Sequence, residues 1–186
     1  AYAREYYEVV QEYAMVSGTD KDDWFDIVPH GKGGVSISGY RIISGEKSKQ
    51  FYHKEFTPGI TREIWLYGLD DGDRFRIDLP PGNRIRVRIV GGLGKDRYEV
   101  VNGKKVHIYD HKSKKSELTG RGRASTLFTD DYEINTYQPL KRGNTTRLLL
   151  PVLGYNPDDG VKLGLGYTFT RFGFLRNPFT TRHTFK

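Results

Sequence analysis

The sequence predicts a mainly β protein. Aromatic residues make up 13% of its 186 residues, with 13 Tyr and 10 Phe, and 22 residues are Gly. This composition favours strands and turns over helices. Three segments repeat one turn-and-strand pattern, and the last third contains a long alternation of apolar with small or polar residues. These observations predict a β-meander or short β-solenoid domain with an N-terminal helix, followed by strands of a different kind.

Composition also restricts the function. The chain has no Cys, which excludes disulfides and thiolate metal sites. Its formal net charge is +7, but interleaved Lys and Arg are typical of a solvated face, so we expect no nucleic-acid partner. No stretch approaches the roughly 20 apolar residues of a membrane helix, so any spanning segments would be strands. The first residues resemble no signal peptide and the last stop inside an alternating pattern; we therefore expect a segment of a longer protein.

Residues 1–15 are predicted to form an amphipathic helix that ends an upstream domain. Residues 2–15 are rich in Glu and contain no Gly or Pro, and Gly18 is a suitable stop. The apolar positions recur at helical spacing: Ala3, Tyr6, Tyr7, Val10, Tyr13 and Ala14.

Residues 16–112 are predicted to form a β-rich domain built on a repeat. The shared pattern is Gly, four residues, Asp, one residue, an aromatic residue, one residue and an aliphatic residue. Its copies are Gly18 to Ile27, Gly68 to Ile77 and Gly91 to Val100, each a turn followed by a half-buried strand. A recurrence of about 20 residues suits the stacked coils of a solenoid. Asn102-Gly103 signals a hairpin, and hence a meander, so both arrangements stay open.

Residues 113–146 are predicted to be a basic polar link, and residues 147–186 to hold long strands. A turn around Pro157 precedes the segment Val161 to Thr170, in which every second residue is apolar. The apolar positions are Val161, Leu163, Leu165, Tyr167 and Phe169. Such a segment matches one crossing by a tilted barrel strand, although a soluble sandwich strand shows the same alternation over fewer residues.

The run Gly154-Tyr155-Asn156-Pro157-Asp158-Asp159-Gly160, with the alternating strand after it, resembles the start of a BamA-type surface-antigen barrel. In particular it resembles Bacteroidetes proteins in which that barrel follows a calcineurin-like metallophosphoesterase domain. Segments between Phe56 and Asp110 are similar to the linker between those two parts. The resemblance covers most of residues 18–186. It implies an outer-membrane protein with a periplasmic or membrane-proximal β domain, the first barrel strands, and phosphoesterase motifs upstream of this chain.

Calcium is the one cofactor that the sequence suggests. The segment Gly91 to Glu99 fits the nonapeptide of calcium-binding β-rolls, with Asp96, and Asp71 and Asp73 from the preceding copy, as ligands. Rolls share each ion between consecutive nonapeptides, whereas these copies are isolated. Each Asp is therefore better interpreted as the cap of a tight turn. His107 and His111 are interpreted as surface residues.

We therefore expect a non-catalytic structural domain that links an upstream domain to an outer-membrane barrel. No nucleophile elbow, phosphate-binding loop or paired-ligand motif occurs, so no enzyme activity is expected. The expected partners are the outer membrane, through the barrel strands, and anionic lipid head groups. The residues considered for the head groups are Arg74, Arg76, Arg84, Arg86, Arg88 and Arg97.

The alternative is a secreted β module that binds calcium or carbohydrate. Trp24, Trp65 and the tyrosines would be its stacking surfaces. Exposed aromatic residues on one sheet face would favour this module, and buried ones would favour the structural domain.

Overall fold

The structure is a computed structural model that describes residues 11–138, 145–158, 160–175 and 178–185. It confirms that the protein is mainly β. The chain divides into two compact units, Ala1–Tyr137 and Gln138–Lys186. Within the described ranges, no helix is long and apolar enough to cross a membrane.

The first unit is built from short strands in two sheets. The strands are β1 (Tyr13–Ser17), β2 (Asp23–His30), β3 (Gly34–Ile43), β4 (Glu46–Phe56), β5 (Glu63–Leu69), β6 (Arg74–Leu79), β7 (Arg86–Gly92), β8 (Arg97–Gly103), β9 (Val106–Asp110), β10 (Glu117–Thr119) and β11 (Ser125–Phe128). A 3-10 turn at Lys112–Lys114 and a short helix, α1 (Tyr132–Asn135), accompany them. The first sheet has the order β1-β5-β7-β9-β11, and the second has the order β10-β8-β6-β2-β3-β4.

Parallel pairing decides between the two arrangements that the sequence leaves open. From β5 onwards, each strand of one sheet is followed by a strand of the other, and each returns in parallel beside the previous coil. Trp65 on β5 thus pairs with Arg88 on β7, which pairs with His107 on β9. The domain is a short β-solenoid. The hairpin at Asn102-Gly103 is wrong, because β8 and β9 lie in different sheets and a corner joins them.

Side chains that point between the two sheets form stacked ladders. Phe25, Phe75 and Tyr98 occupy equivalent positions on β2, β6 and β8. Their ring centroids are 5.4 Å apart for the first pair and 5.1 Å for the second, and all three residues are buried. Aliphatic ladders complete the core: Ile27, Ile77 and Val100; Ile64, Val87 and Val106; Leu66, Ile89 and Ile108. The repeated aromatic and aliphatic positions therefore point inward, as the sequence predicts.

The N-terminal helix predicted over residues 1–15 is not borne out over its last three residues. Tyr13–Ser17 is strand β1, which pairs in parallel with β5; residues 1–10 lie outside the described ranges. The pairing buries Val16, and the Tyr13 ring contacts Trp65 with centroids 6.3 Å apart. A helical period fitted this segment, but its strand partner lies far along the chain, where local periodicity carries no signal.

An antiparallel hairpin is inserted into the first coil. Strand β3 pairs with β2, and β4 pairs with β3 across Ser44 and Gly45. The φ values of these two residues, 54° and 84°, fit a type I′ hairpin turn. Strand β4 is an edge of the second sheet and carries Lys47, Lys49 and Lys54. Charged side chains of this kind discourage further strand pairing.

The segment predicted as a basic polar link, residues 113–146, contains two further strands. Strand β10 pairs in parallel with β8, and β11 pairs in parallel with β9. The solenoid therefore continues beyond residue 112. These strands of three and four residues are too short for an alternating pattern to be recognised in the sequence.

The second unit contains a three-stranded antiparallel sheet. Its strands are β12 (Thr145–Asn156), β13 (Gly160–Arg171) and β14 (Thr181–Phe185), in that spatial order. The β12–β13 pairing runs without interruption from Thr145 beside Arg171 to Asn156 beside Gly160. The strand predicted over Val161 to Thr170 is thus confirmed, and it extends by one residue at each end.

Replacing Phe75 with Ala should destabilise the solenoid by about 3–5 kcal/mol, because it removes a buried ring that stacks on both neighbouring coils. Urea unfolding followed by tryptophan fluorescence measures this, since both Trp residues of the chain, Trp24 and Trp65, lie in the first unit. The control is Val101→Ala, at a position that is 50% exposed, where we expect a change under about 1 kcal/mol. Equal effects of the two substitutions would contradict the stacked core.

Candidate functional site

A row of buried carboxyl groups lies at the corner where the chain enters the second sheet. Asp23, Asp73 and Asp96, the aspartates of the three sequence repeats, stand at or just before the first residues of β2, β6 and β8. Asp110, at the end of β9, joins them. All four are at most 1% exposed. We call these four side chains the carboxyl ladder.

The ladder carboxyls bind the backbone of the coil before them. Asp73 Oδ1 accepts the N–H of Asp23 at 2.9 Å, and Asp96 Oδ1 accepts the N–H of Asp73 at 2.9 Å. The N–H of Asp96 donates in turn to Ser116 Oγ at 2.9 Å. In the first coil, the Asp23 carboxylate accepts the N–H of Thr19 in its own turn at 2.6 Å and the guanidinium of Arg41 at 2.5 Å. The ladder thereby provides hydrogen-bond acceptors for buried N–H groups at the strand ends, where the backbone pairing of the sheet does not satisfy them.

The glycines of the repeat make room for these carboxyl groups. A Cβ on Gly68 would lie 2.1 Å from Asp73 Oδ2, and a Cβ on Gly91 would lie 2.1 Å from Asp96 Oδ2. Both distances are far below van der Waals contact. The pattern of Gly, four residues and Asp is therefore a steric requirement of the coil, since the carboxyl group occupies the space of the absent side chain.

The last coil departs from the pattern. Val90 pairs with Tyr109, so Asp110 follows where the earlier coil has Gly91. The Tyr98 hydroxyl donates to Asp110 Oδ2 at 2.8 Å and lies 3.5 Å from Asp96 Oδ2. The single hydroxyl proton is directed at Asp110, so Asp96 Oδ2 is the more weakly paired of the two carboxyl oxygens.

Burial is the main influence on the pKa values of the ladder. It raises the pKa of Asp73 to about 9, and the charges of Asp96 and Asp23 add to the effect. Asp73 Oδ2 is buried without a hydrogen-bond partner among the described residues. Burial also raises the pKa of Asp96 and of Asp110, and the Asp110 charge further raises that of Asp96. With a pKa of about 9, Asp73 is a neutral carboxyl group at neutral pH.

The structure gives the three predicted calcium ligands different positions. Asp73 and Asp96 are buried ladder members, whereas Asp71 is exposed on its turn with a φ of 59°. Across the described ranges, no three His, Cys, Asp or Glu side chains form a group that could hold a metal ion. Asp73 and Asp96 cap the neighbouring coil rather than their own turns. Calcium binding by these residues stays a prediction.

Carboxylates neutralise much of the arginine set that the sequence singles out. Glu63 is 5% exposed and accepts hydrogen bonds from Arg86, at 2.9 Å, and from Arg88. Burial alone would raise the pKa of Glu63, but the Arg88 charge and the hydrogen bonds outweigh it and lower that pKa. Arg76 lies 3.9 Å from Glu99. These arginines therefore stabilise the outer faces of the two sheets.

The two tryptophans predicted as stacking surfaces are covered. Trp65 is 1% exposed and donates its indole N–H to Glu63 at 2.7 Å. The Trp24 ring has Lys47 Nζ 4.6 Å and the Arg74 guanidinium 5.4 Å from its centroid. Both cations restrict the approach of a sugar ring to this indole.

The second unit presents the other candidate site, an exposed face of apolar side chains. Alternate residues of β12 and β13 point to one side, where Leu153 pairs with Leu163 and Pro151 with Leu165. We call this side the apolar face; its members are Leu149, Pro151, Leu153, Tyr155, Val161, Leu163, Leu165 and Tyr167. Leu153 and Leu163 are 76% and 79% exposed. Contiguous apolar surfaces of this kind mark sites of contact with a partner or a membrane.

Sequence reasoning missed two parts of these sites. It did not include Asp110 in the ladder. A signal for it was present, because Asp110 follows Gly91 at nearly the same interval as Ser116 follows Asp96, and such a recurrence indicates a further coil. It also assigned the alternation to β13 alone. The run from Leu148 to Leu150 hides the alternation of β12, because both sides of that strand are apolar.

Comparisons with family models, with curated proteins and with solved structures find no match for this chain. The resemblance to the BamA-type barrel family therefore stays a prediction. It depends on the turn from Asn156 to Gly160 and on the alternating strand after it.

Lowering the pH from 8 to 5 should stabilise the solenoid. A carboxyl whose folded-state pKa is raised stabilises the fold fully below its unfolded value, near 4, and that contribution is lost as the pH rises toward about 9 for Asp73. Asp73→Asn keeps an acceptor for the Asp23 N–H and cannot ionise. It should reduce the loss of unfolding free energy between pH 5 and 8, by up to about 4 kcal/mol.

Urea titrations at several pH values, followed by tryptophan fluorescence, measure this dependence. Asp71→Asn, on the exposed part of the same turn, is the matched control and should leave the pH profile unchanged. A profile for Asp73→Asn identical to that of the unsubstituted chain would show that Asp73 ionises freely in the folded state.

Proposed function

We propose that this chain is a non-catalytic structural segment of an outer-membrane protein. The solenoid serves as a periplasmic or membrane-proximal spacer after an upstream domain. The family resemblance implies that this upstream domain is a metallophosphoesterase. The second unit supplies the first strands of a BamA-type barrel. The exposed apolar face of β12 and β13 is the observation that carries the proposal.

The dimensions and composition of the apolar face support insertion into a bilayer. Between Tyr155 and Tyr167 the face contains only apolar side chains. Six residue steps separate Tyr155 from Leu149, the partner of Tyr167, which corresponds to roughly 20 Å at about 3.3 Å per residue. The apolar band of outer-membrane barrels is about 25 Å tall and has aromatic girdles at both edges. The two tyrosines occupy the positions of such girdles.

The opposite side of the sheet and the backbone pairing agree with this role. Leu150 and Val152 stand beside Gly166 and Gly164, so bulky residues on β12 meet minimal ones on β13. Backbone groups in a bilayer must be paired within the protein. Each of the 12 residues of β13 has a partner on β12.

The solenoid has the features of a rigid support. Five of its large aromatic residues are at most 1% exposed: Phe25, Trp65, Tyr67, Phe75 and Tyr98. Buried aromatic residues favour a structural domain, because a carbohydrate-binding module would expose its aromatic rings for stacking. The coils are joined by continuous parallel pairing and by the carboxyl ladder, which together resist bending between coils.

A cysteine placed on the apolar face should enter the lipid. The chain has no native Cys, so Leu163→Cys can carry a single environment-sensitive fluorophore. With lipid vesicles present, this label should be quenched by brominated acyl chains and protected from aqueous iodide, because Leu163 lies in the middle of the face. A label at Glu46→Cys, on the exposed edge strand β4, should stay accessible to iodide. Equal iodide quenching at both positions would refute the membrane role.

The alternative, a calcium-binding secreted module, makes a different prediction. Calcium that binds the folded state would raise Tm. We expect no change in Tm between millimolar calcium and chelator, because the Oδ1 atoms of Asp73 and Asp96 already accept backbone N–H groups. A rise in Tm that Asp96→Asn abolishes would favour the binding module instead.

A further inference from the structure

The positive charge of the chain is concentrated in the second unit. Residues 1–137 contain 22 Lys and Arg against 21 Asp and Glu, whereas residues 138–186 contain 8 against 2. The first unit is therefore nearly neutral. Almost the whole net charge of +7 belongs to the segment that also exposes the apolar face.

Three arginines gather at one end of the β12–β13–β14 sheet. Arg147 lies on β12 beside Phe169 of β13, Arg182 lies on β14 beside Thr170, and Arg171 is the next residue of β13. Because side chains alternate along a strand, Arg147 and Arg171 point to the side of the apolar face and Arg182 to the opposite side. All three are exposed. Since a strand advances about 3.3 Å per residue, they fall within roughly 7 Å along the strand direction. We call Arg147, Arg171 and Arg182 the arginine rim.

Aromatic rings border the rim. The Tyr167 and Phe185 rings stack with centroids 6.4 Å apart, and the Arg182 guanidinium lies 4.1 Å from the centroid of Phe179. Aromatic residues are enriched where a bilayer meets water, and Arg extends from this level toward the head groups. On the side of the apolar face, Arg147 and Arg171 thus follow the aromatic end in the order that a membrane interface requires.

In the described part of the second unit, acidic side chains lie away from the rim. Asp158 is the one acidic residue in the described part of the second unit, and it is in the turn after β12, at the opposite end of the sheet. This differs from the solenoid, where Arg86 and Arg88 bind Glu63 and Arg97 binds Glu117. The rim arginines are therefore better placed for an external anion than the solenoid arginines that the sequence suggested.

We propose that the arginine rim binds the phosphate groups of anionic phospholipids at one surface of the bilayer. The inference rests on the proposed membrane role of the apolar face and adds the lipid chemistry that this end of the sheet selects. A guanidinium offers paired N–H donors that match phosphate oxygens, and it is weakly hydrated compared with an ammonium group. The opposite end of the sheet, with Asp158 in its turn, lacks such a cluster in the described residues.

Co-flotation of the whole chain with vesicles tests this inference. The vesicles contain phosphatidylcholine alone or phosphatidylcholine mixed with phosphatidylglycerol. We expect tighter binding to the mixed vesicles and a loss of that preference in high salt. Arg147→Gln, Arg171→Gln and Arg182→Gln combined should weaken binding to the mixed vesicles on the order of 100-fold, at about fivefold per charge. Binding to phosphatidylcholine alone should remain.

A control removes the same charge elsewhere. Arg74→Gln, Arg76→Gln and Arg97→Gln combined change three solenoid arginines and should retain the preference for phosphatidylglycerol. Replacing the three rim arginines with Lys keeps the charge but removes the paired donors, so this variant should retain only part of the preference. That retained part would show that the Gln variant does not fail by misfolding alone.

The outcomes separate the two proposals. Equal binding of the unsubstituted chain to both kinds of vesicle overturns the phosphate inference and leaves the membrane role intact. An equal loss of preference in the solenoid control overturns it as well, because net charge alone would then explain the binding. No binding to either kind of vesicle means that the membrane role itself fails, and the inference fails with it.

Discussion

Hydrogen bonds from backbone N–H groups to buried carboxyl oxygens fix the register of the solenoid. Asp73 binds the backbone of Asp23, and Asp96 binds that of Asp73. Once these corners are aligned, residues two and four positions later fall beside their counterparts in the next coil. The Phe25, Phe75 and Tyr98 stack follows from that alignment. A slip of one residue would reverse every side chain between core and solvent, so the corner determines the core.

The same interaction limits where the ladder can extend. The carboxyl groups of Asp73 and Asp96 each need a glycine beside them, as the space at Gly68 and Gly91 shows. In the last coil that glycine position is occupied by Asp110. The acceptor for the N–H of Asp96 is there the hydroxyl of Ser116, a shorter side chain than aspartate. Buried carboxyl groups this close together are tolerated only when some are neutral, because an unpaired ionised carboxylate is costly to desolvate. The proton on Asp73 is therefore a component of the fold.

Part of this architecture could be predicted from the sequence. The pattern of Gly, Asp, aromatic and aliphatic residues correctly gave the turn, the strand and the inward side chains, since each is a local property. It could not distinguish a solenoid from a meander, because strand neighbours are set by distant pairing such as that of β5 with β7. The helix prediction failed at Tyr13 for the same reason, because this residue pairs in a sheet with Glu63, which is distant in the sequence. The Tyr98 to Asp110 contact joins two coils and leaves no local trace.

The two units place polar and apolar side chains in opposite ways. The solenoid buries carboxyl groups and satisfies most of them internally, so its surface carries ion pairs of nearly balanced charge. The second unit is apolar on both sides of β12: Leu153 is 76% exposed on one side and Val152 is 55% exposed on the other. Water disfavours such a sheet through the hydrophobic effect at every exposed aliphatic group. The proposed membrane role accounts for a sheet that is apolar along its middle and cationic at one end, because a bilayer with anionic head groups has a matching apolar interior and a charged surface.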